Sequence, residues 1–187
     1  MTEIDVEETP ITKFEYLTFG PFHLGAEDDL SSLLIADDFW DEIEEKYPGL
    51  RAAIGVYIFS VKSTKRSSLT PWYVGKTDRG FERRFHQHKT LFSKLLVKTG
   101  STSVFLIPRL KRGSAQFMKQ RKKLTSNDVL ETVLIERCLE LNPMLLNDSK
   151  VKYVRGLVVP GFKGAIAGKP KAPAKQLRAM LNGTIPK

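Results

Sequence analysis

The chain has 187 residues, one cysteine and a net charge of +9. That length suits one domain with decorated ends, in which a single core buries roughly 70% of the unfolded chain's surface without a disulfide or structural metal. Cys138 alone excludes an intrachain disulfide and a cysteine-rich zinc site, and the absence of a signal peptide or of an apolar run of ~18 residues leads us to expect a soluble, cytoplasmic protein with no membrane partner.

In chain order, residues 1–22 are mixed and read as a tail or extended cover. "DDLSSLLIADDFWDEIEEKY" (28–47) predicts helix, ended by "YPGL". Residues 1–50 carry 14 acidic and 2 basic side chains, a net of −12. "AIGVYIFSV" (53–61) and "WYVGK" (72–76) read as strands joined by a polar loop, an antiparallel pair. From Gly80 the pattern turns helical, with Phe81, Phe85, His88 and Phe92 on one face. A third strand follows at 102–108, then a basic stretch at 109–124, part loop and part helix. Residues 62–123 hold 17 basic and 2 acidic side chains, a net of +15. A basic block of that density attracts polyanions, nucleic acid above all; the plainer alternative is a solvated lysine and arginine surface. "TSND" (125–128) offers N-cap residues for a helix over 129–141 that Asn142-Pro143 ends. A basic linker (161–175) leads to a short helix, "QLRAML", closed by Asn182-Gly183. The expected organisation is an acidic extension (1–52), a core (53–148) and a basic extension (149–187).

The ordered set "GVY" (55–57), "YVG" (73–75), an arginine-bearing helix and a glutamate-bearing helix followed by Pro143 and Asn147 resembles the GIY-YIG nuclease family over about residues 53–147. The resemblance implies an α/β (α+β) fold, a small three-stranded antiparallel sheet flanked by helices. It also implies hydrolysis of a nucleic-acid phosphodiester with one divalent metal, a tyrosine-linked base and an arginine. Tyr57 and Tyr73 fall on the two family tyrosines, Gly75 completes the second tripeptide, and Asn147 takes the place of the family asparagine.

The residues themselves narrow the choices. A phenol, with a pKa of about 10, is a poor base at neutral pH unless cations stabilise the phenolate or the hydroxyl relays a proton. Lys76, directly after "YVG", is placed to do the former or to hold a phosphate. Arg84 lies three residues after Phe81 and four before His88, on the side of the helix facing the sheet. We take it over Arg79 and Arg83, with Arg83 in reserve, as the group that would grip the scissile phosphate. His88 would position phosphate or nucleophile, or else fill an apolar stripe; His86 points away. On the later helix, Leu130, Val133, Leu134, Cys138 and Leu141 are expected to centre the apolar face. Glu131 falls inside that arc and Glu136 well outside it. A carboxylate in an apolar face needs a pair or a cation, so Glu131 is the metal candidate, with a helix-dipole role as the alternative. A single carboxylate with waters suits Mg²⁺ (or Mn²⁺).

The leading expectation is therefore a metal-dependent DNA endonuclease, with RNA as another possible substrate. A non-catalytic nucleic-acid-binding protein using the same basic surface is the competing class, and a component whose acidic N-terminus covers the basic site is a third.

Overall fold

The computed structural model describes residues 14–26, 37–64, 66–88, 100–119, 124–147, 149–156 and 172–181. Strands β1 (Phe19–Ala26), β2 (Gly55–Lys62), β3 (Thr70–Thr77) and β4 (Ser101–Pro108) form one sheet in the order β1-β4-β2-β3. All of its pairings are antiparallel. The helices are α1 (Asp37–Lys46), α2 (Phe81–His86), α3 (Thr125–Leu141), α4 (Ser149–Gly156) and α5 (Ala172–Leu181). The α+β class follows as expected.

β2 sits between β3 and β4, and its residues serve two cores. Tyr57 and Phe59 point into one cluster, Val56 and Ile58 into the other. Burial on both faces is why "GVYIFSV" carries no polar alternation. The first core gathers Trp40 and Ile43 of α1, Phe81 and Phe85 of α2, and Leu24 of β1. Phe85 is its hub, with ring centroids 4.9 Å from Tyr57, 5.3 Å from Phe59 and 5.3 Å from Trp40. The second core packs Ile135 and Cys138 of α3 and Val151 of α4 against Val56, Val74 and Ile107. Elements from both expected extensions thus enter the fold: β1 within the sheet, α1 on one of its faces and α4 on the other.

Three expectations are corrected. The sheet has four strands, because β1 joins β4 at an edge. Gly20, Pro21 and Gly25 disguise it in the sequence, and an edge strand with two irregularities in its register tolerates them. α2 ends at His86, and a backbone hydrogen bond from His88 to Phe85 (2.9 Å) closes the turn after it; Phe92 lies outside the described residues. α3 buries Asn127, Glu131, Ile135 and Cys138, while Val129, Val133 and Leu141 are exposed. Counting apolar residues put the face about one position off, because two polar side chains with internal partners are turned inward. Of the linker expected over 161–175, residues 161–171 lie outside the described residues and 172–175 belong to α5; the closing Asn182-Gly183 and the N-terminal part of the helix expected over 28–47 also lie outside them. No described helix is long and apolar enough to cross a membrane.

The outer edge of β3 is covered by the segment between α3 and α4. Asn147 donates from its amide to the Val74 carbonyl (2.6 Å) and accepts from the Val74 N–H (2.9 Å). The Leu146 N–H bonds Trp72 (2.8 Å), and the Asn142 amide bonds the Pro71 carbonyl (2.7 Å). This side chain therefore reproduces the pairing of a neighbouring strand. Asn147→Ala removes both bonds to Val74 and should lower unfolding stability by about 1–3 kcal/mol, read as a shift in the urea midpoint.

Candidate functional site

Tyr57 and Gly75 are cross-strand partners on β2 and β3. A Cβ on Gly75 would lie 2.4 Å from the Tyr57 hydroxyl and from its Cζ. The glycine is needed because the Tyr57 ring lies across it, and Tyr57 is 0% exposed. Tyr73, one pleat along β3, is half-buried, and its ring is 6.2 Å from that of Tyr57.

The turn from β3 into α2 brings the arginines in. The Thr77 hydroxyl donates to the Gly80 carbonyl (2.9 Å) and accepts from the Arg79 N–H (3.1 Å). Gly80 takes φ +101°, which favours glycine, and Phe81 N–H bonds Ala53 (3.1 Å), anchoring α2 to the chain entering β2. With Phe81 and Phe85 buried, Arg84 faces inward and Arg83 stays exposed. Of the two arginines, Arg84 is the half-buried one.

Three buried polar atoms lack hydrogen-bond partners here: the Tyr57 hydroxyl, Arg84 Nε and His88 Nε2. The His88 ring is 6.5 Å from that of Tyr57 and 6.0 Å from that of Tyr73. Burial lowers the His88 pKa to about 4, with the Arg84 charge adding to the effect, so its imidazole is neutral at neutral pH. Burial also pushes the Tyr57 phenol well above its ordinary value. Tyr73 and Glu131 reinforce the rise, and Arg84 opposes it without prevailing. The guanidinium thus acts on the Tyr57 hydroxyl by its charge and by a loose side-chain hydrogen bond that falls short of full hydrogen-bond geometry. Leaving a buried polar group unpaired costs about 1–3 kcal/mol, so three together mark a place where packing was not the deciding requirement.

Beside them opens a cleft of about 400 Å³ lined by Lys76, Thr77, Asp78, Arg79, Arg84, Gln87 and Glu131. Arg84 and Glu131 face it together, while Tyr57 lies on the buried side of Arg84. Glu131 is held by a residue that sequence reasoning passed over. Lys150 of α4 donates to Glu131 Oε2 (2.5 Å) and to the Asp128 carbonyl (3.2 Å), and its Nζ is 3.7 Å from Asp128 Oδ1. Lys76 is 2.8 Å from the same Asp128 oxygen and 3.5 Å from Asp78. Burial works to lower the Lys76 pKa, but the hydrogen bond to Asp128 and the charges of Asp78, Asp128 and Glu131 outweigh it, so the pKa is raised. Lys76 is therefore a paired cation and not a free activator of a tyrosine. Fully buried Asn127 completes the array, donating to Asp78 (3.1 Å) and Thr77 (3.4 Å) and accepting from Tyr16 (2.9 Å).

The structure brings Tyr57, Tyr73, Arg84 and His88 into one cluster, with Glu131 across the cleft. Gly75 seats Tyr57, and Asn147 spends its amide on β3. Asp78, Asn127, Asp128 and Lys150 were missed. Their one signal was the need of Glu131 for a cation, which a lysine meets as readily as a metal. Among the described residues no three His, Cys, Asp or Glu side chains converge to hold an ion. The donor set fits a hard, hydrated cation on one carboxylate, and no more. Compared with protein families, curated proteins and solved structures, the chain has no match.

Two outcomes check this geometry. Tyr57→Phe, which removes an unsatisfied hydroxyl, should leave stability unchanged or raise it by about 1 kcal/mol, whereas loss of a satisfied buried hydroxyl costs about that much; thermal or urea unfolding decides. His88 has a folded pKa near 4 against about 6.5 unfolded, so the unfolded state binds the extra proton between those values. Its contribution is fully present above about pH 6.5 and lost as pH falls toward 4. The pH-dependence of stability over that window should flatten in His88→Gln.

Proposed function

We propose that the chain is a metal-dependent endonuclease that hydrolyses DNA phosphodiesters at a GIY-YIG-like site. The observation that carries this reading is the trio of unpartnered buried atoms, the Tyr57 hydroxyl, Arg84 Nε and His88 Nε2, beside a cleft that Glu131 also faces. Such atoms await a polar ligand, and a phosphate supplies acceptors for a guanidinium.

Arg84 grips a non-bridging oxygen of the scissile phosphate and stabilises the charge that builds as the attacking oxygen bonds to phosphorus and the leaving oxygen departs. His88, neutral at Nε2, orients the attacking water through an accepted hydrogen bond. Tyr73, half-buried, is the tyrosine open to that water. Tyr57, held protonated, serves as a hydroxyl donor behind Arg84 and not as the resting base. Glu131 would hold Mg²⁺ or Mn²⁺, which when bound supplies charge neutralisation at the phosphate. The basic stretches at 62–66 and 109–123 hold the nucleic-acid backbone, with affinity falling as salt rises. RNA is an alternative substrate by the same chemistry, and a cytoplasmic setting belongs to the same proposal.

A second reading, a nucleic-acid-binding protein without catalysis, draws on two observations: Lys150 occupies Oε2 of Glu131, and burial keeps the Tyr57 phenol protonated. Supercoiled plasmid separates the two. The wild type should nick it in MgCl₂ or MnCl₂ and not in EDTA, while Arg84→Ala and Glu131→Ala slow the reaction by about 100-fold or more. Plasmid left intact under every metal, yet shifted on a gel by the protein, establishes the binding reading. Cleavage of single-stranded RNA alone makes RNA the substrate.

A further inference from the structure

Resting on the reading of Glu131 as the metal-holding carboxylate, we propose that Lys150 is a built-in occupant of that position, one that sets how tightly Glu131 takes a divalent ion. The ammonium sits in a cradle of three oxygens from the first turns of α3: Glu131 Oε2 at 2.5 Å, the Asp128 carbonyl at 3.2 Å and Asp128 Oδ1 at 3.7 Å. Of these, the Glu131 carboxylate is the donor a hard cation would take, since the Asp128 oxygen is already paired with Lys76 at 2.8 Å. Glu131 is 9% exposed, and a carboxylate so buried needs a compensating charge at all times. Lys150 supplies it when no metal is bound.

A divalent ion and an ammonium on the same carboxylate oxygen would lie within a few ångströms of each other in a partly buried place, where like charges repel strongly. Lys150 must therefore yield Oε2 when Glu131 takes an ion. The structure gives it a way to do so without unfolding α4. The neighbouring Val151 is 4% exposed and locked in the second core, so the helix stays docked. The Lys150 side chain is 30% exposed, and its four-carbon stem can swing the ammonium into solvent. Lys76 is already paired with Asp128 and remains where it is, 2.8 Å away. The result is an exchange of one cation for another at constant packing, with the metal affinity discounted by the strength of the Lys150–Glu131 pair.

The test is calorimetric titration of the full chain with MnCl₂ and MgCl₂, comparing the wild type with Lys150→Met, Lys150→Gln and Lys152→Met. Lys152 is exposed on the same helix and controls for the loss of one positive charge. Removing Lys150 should tighten ion binding by about tenfold or more. Both Lys150 variants should also be less stable than the wild type without metal and recover with it, while Lys152→Met behaves as the wild type. Equal affinities in all four proteins overturn the inference and leave the metal reading of Glu131 standing. No ion binding in any protein, or binding that survives Glu131→Ala, overturns the metal reading and the inference with it. Should neither Lys150 variant fold, the wild type still decides. Labelling of Lys150 by an amine-reactive ester, read by mass spectrometry against Lys152, should rise on addition of saturating MnCl₂, and no rise overturns the exchange.

Discussion

A tyrosine ring laid across a glycine joins the core of this protein to its cleft. The ring of Tyr57 needs the space that a Cβ on Gly75 would take, and that contact fixes the register of β2 against β3. From this register follows the position of Thr77 at the end of β3, where its hydroxyl shapes the turn into α2. Phe85 then packs on the same tyrosine ring, which points Arg84 inward. A larger residue at position 75 would disturb the ring, the turn and the arginine together, because close-packed interiors transmit strain.

Much of this arrangement was legible because local pattern and global fold agree. Dense β-branched and aromatic residues marked β2, and the spacing of Arg84 from Phe81 and His88 set it apart from Arg83. What stayed hidden was decided by distant partners. β1 carries glycine and proline that a central strand would not accept, and its place at an edge is a tertiary fact. α4 has a weakly patterned sequence and is secured through Val151 and Lys150. The face of α3 was displaced because Asn127 and Glu131 turn inward to partners 50 and 19 residues away in the chain. For Glu131 the sequence carried the requirement for a cation but not its identity.

The site is built from two opposed demands. Around Arg84 the positive charge is concentrated and His88 is kept neutral, an environment suited to an anion. Around Glu131, three carboxylates and two lysines nearly cancel, so that side of the cleft rests close to neutrality. The phenol of Tyr57 lies between the two and is governed by burial more than by either charge.

The segment that covers β3 has a consequence beyond shielding a strand edge from other chains. It runs directly from the end of α3 to the start of α4, so the same few residues that stitch to Trp72 and Val74 also set the spacing between the helix bearing Glu131 and the helix bearing Lys150. β3 in turn leads into Arg84. The covering segment thus connects the Arg84 side of the cleft, through β3, with the Glu131–Lys150 side, through α3 and α4.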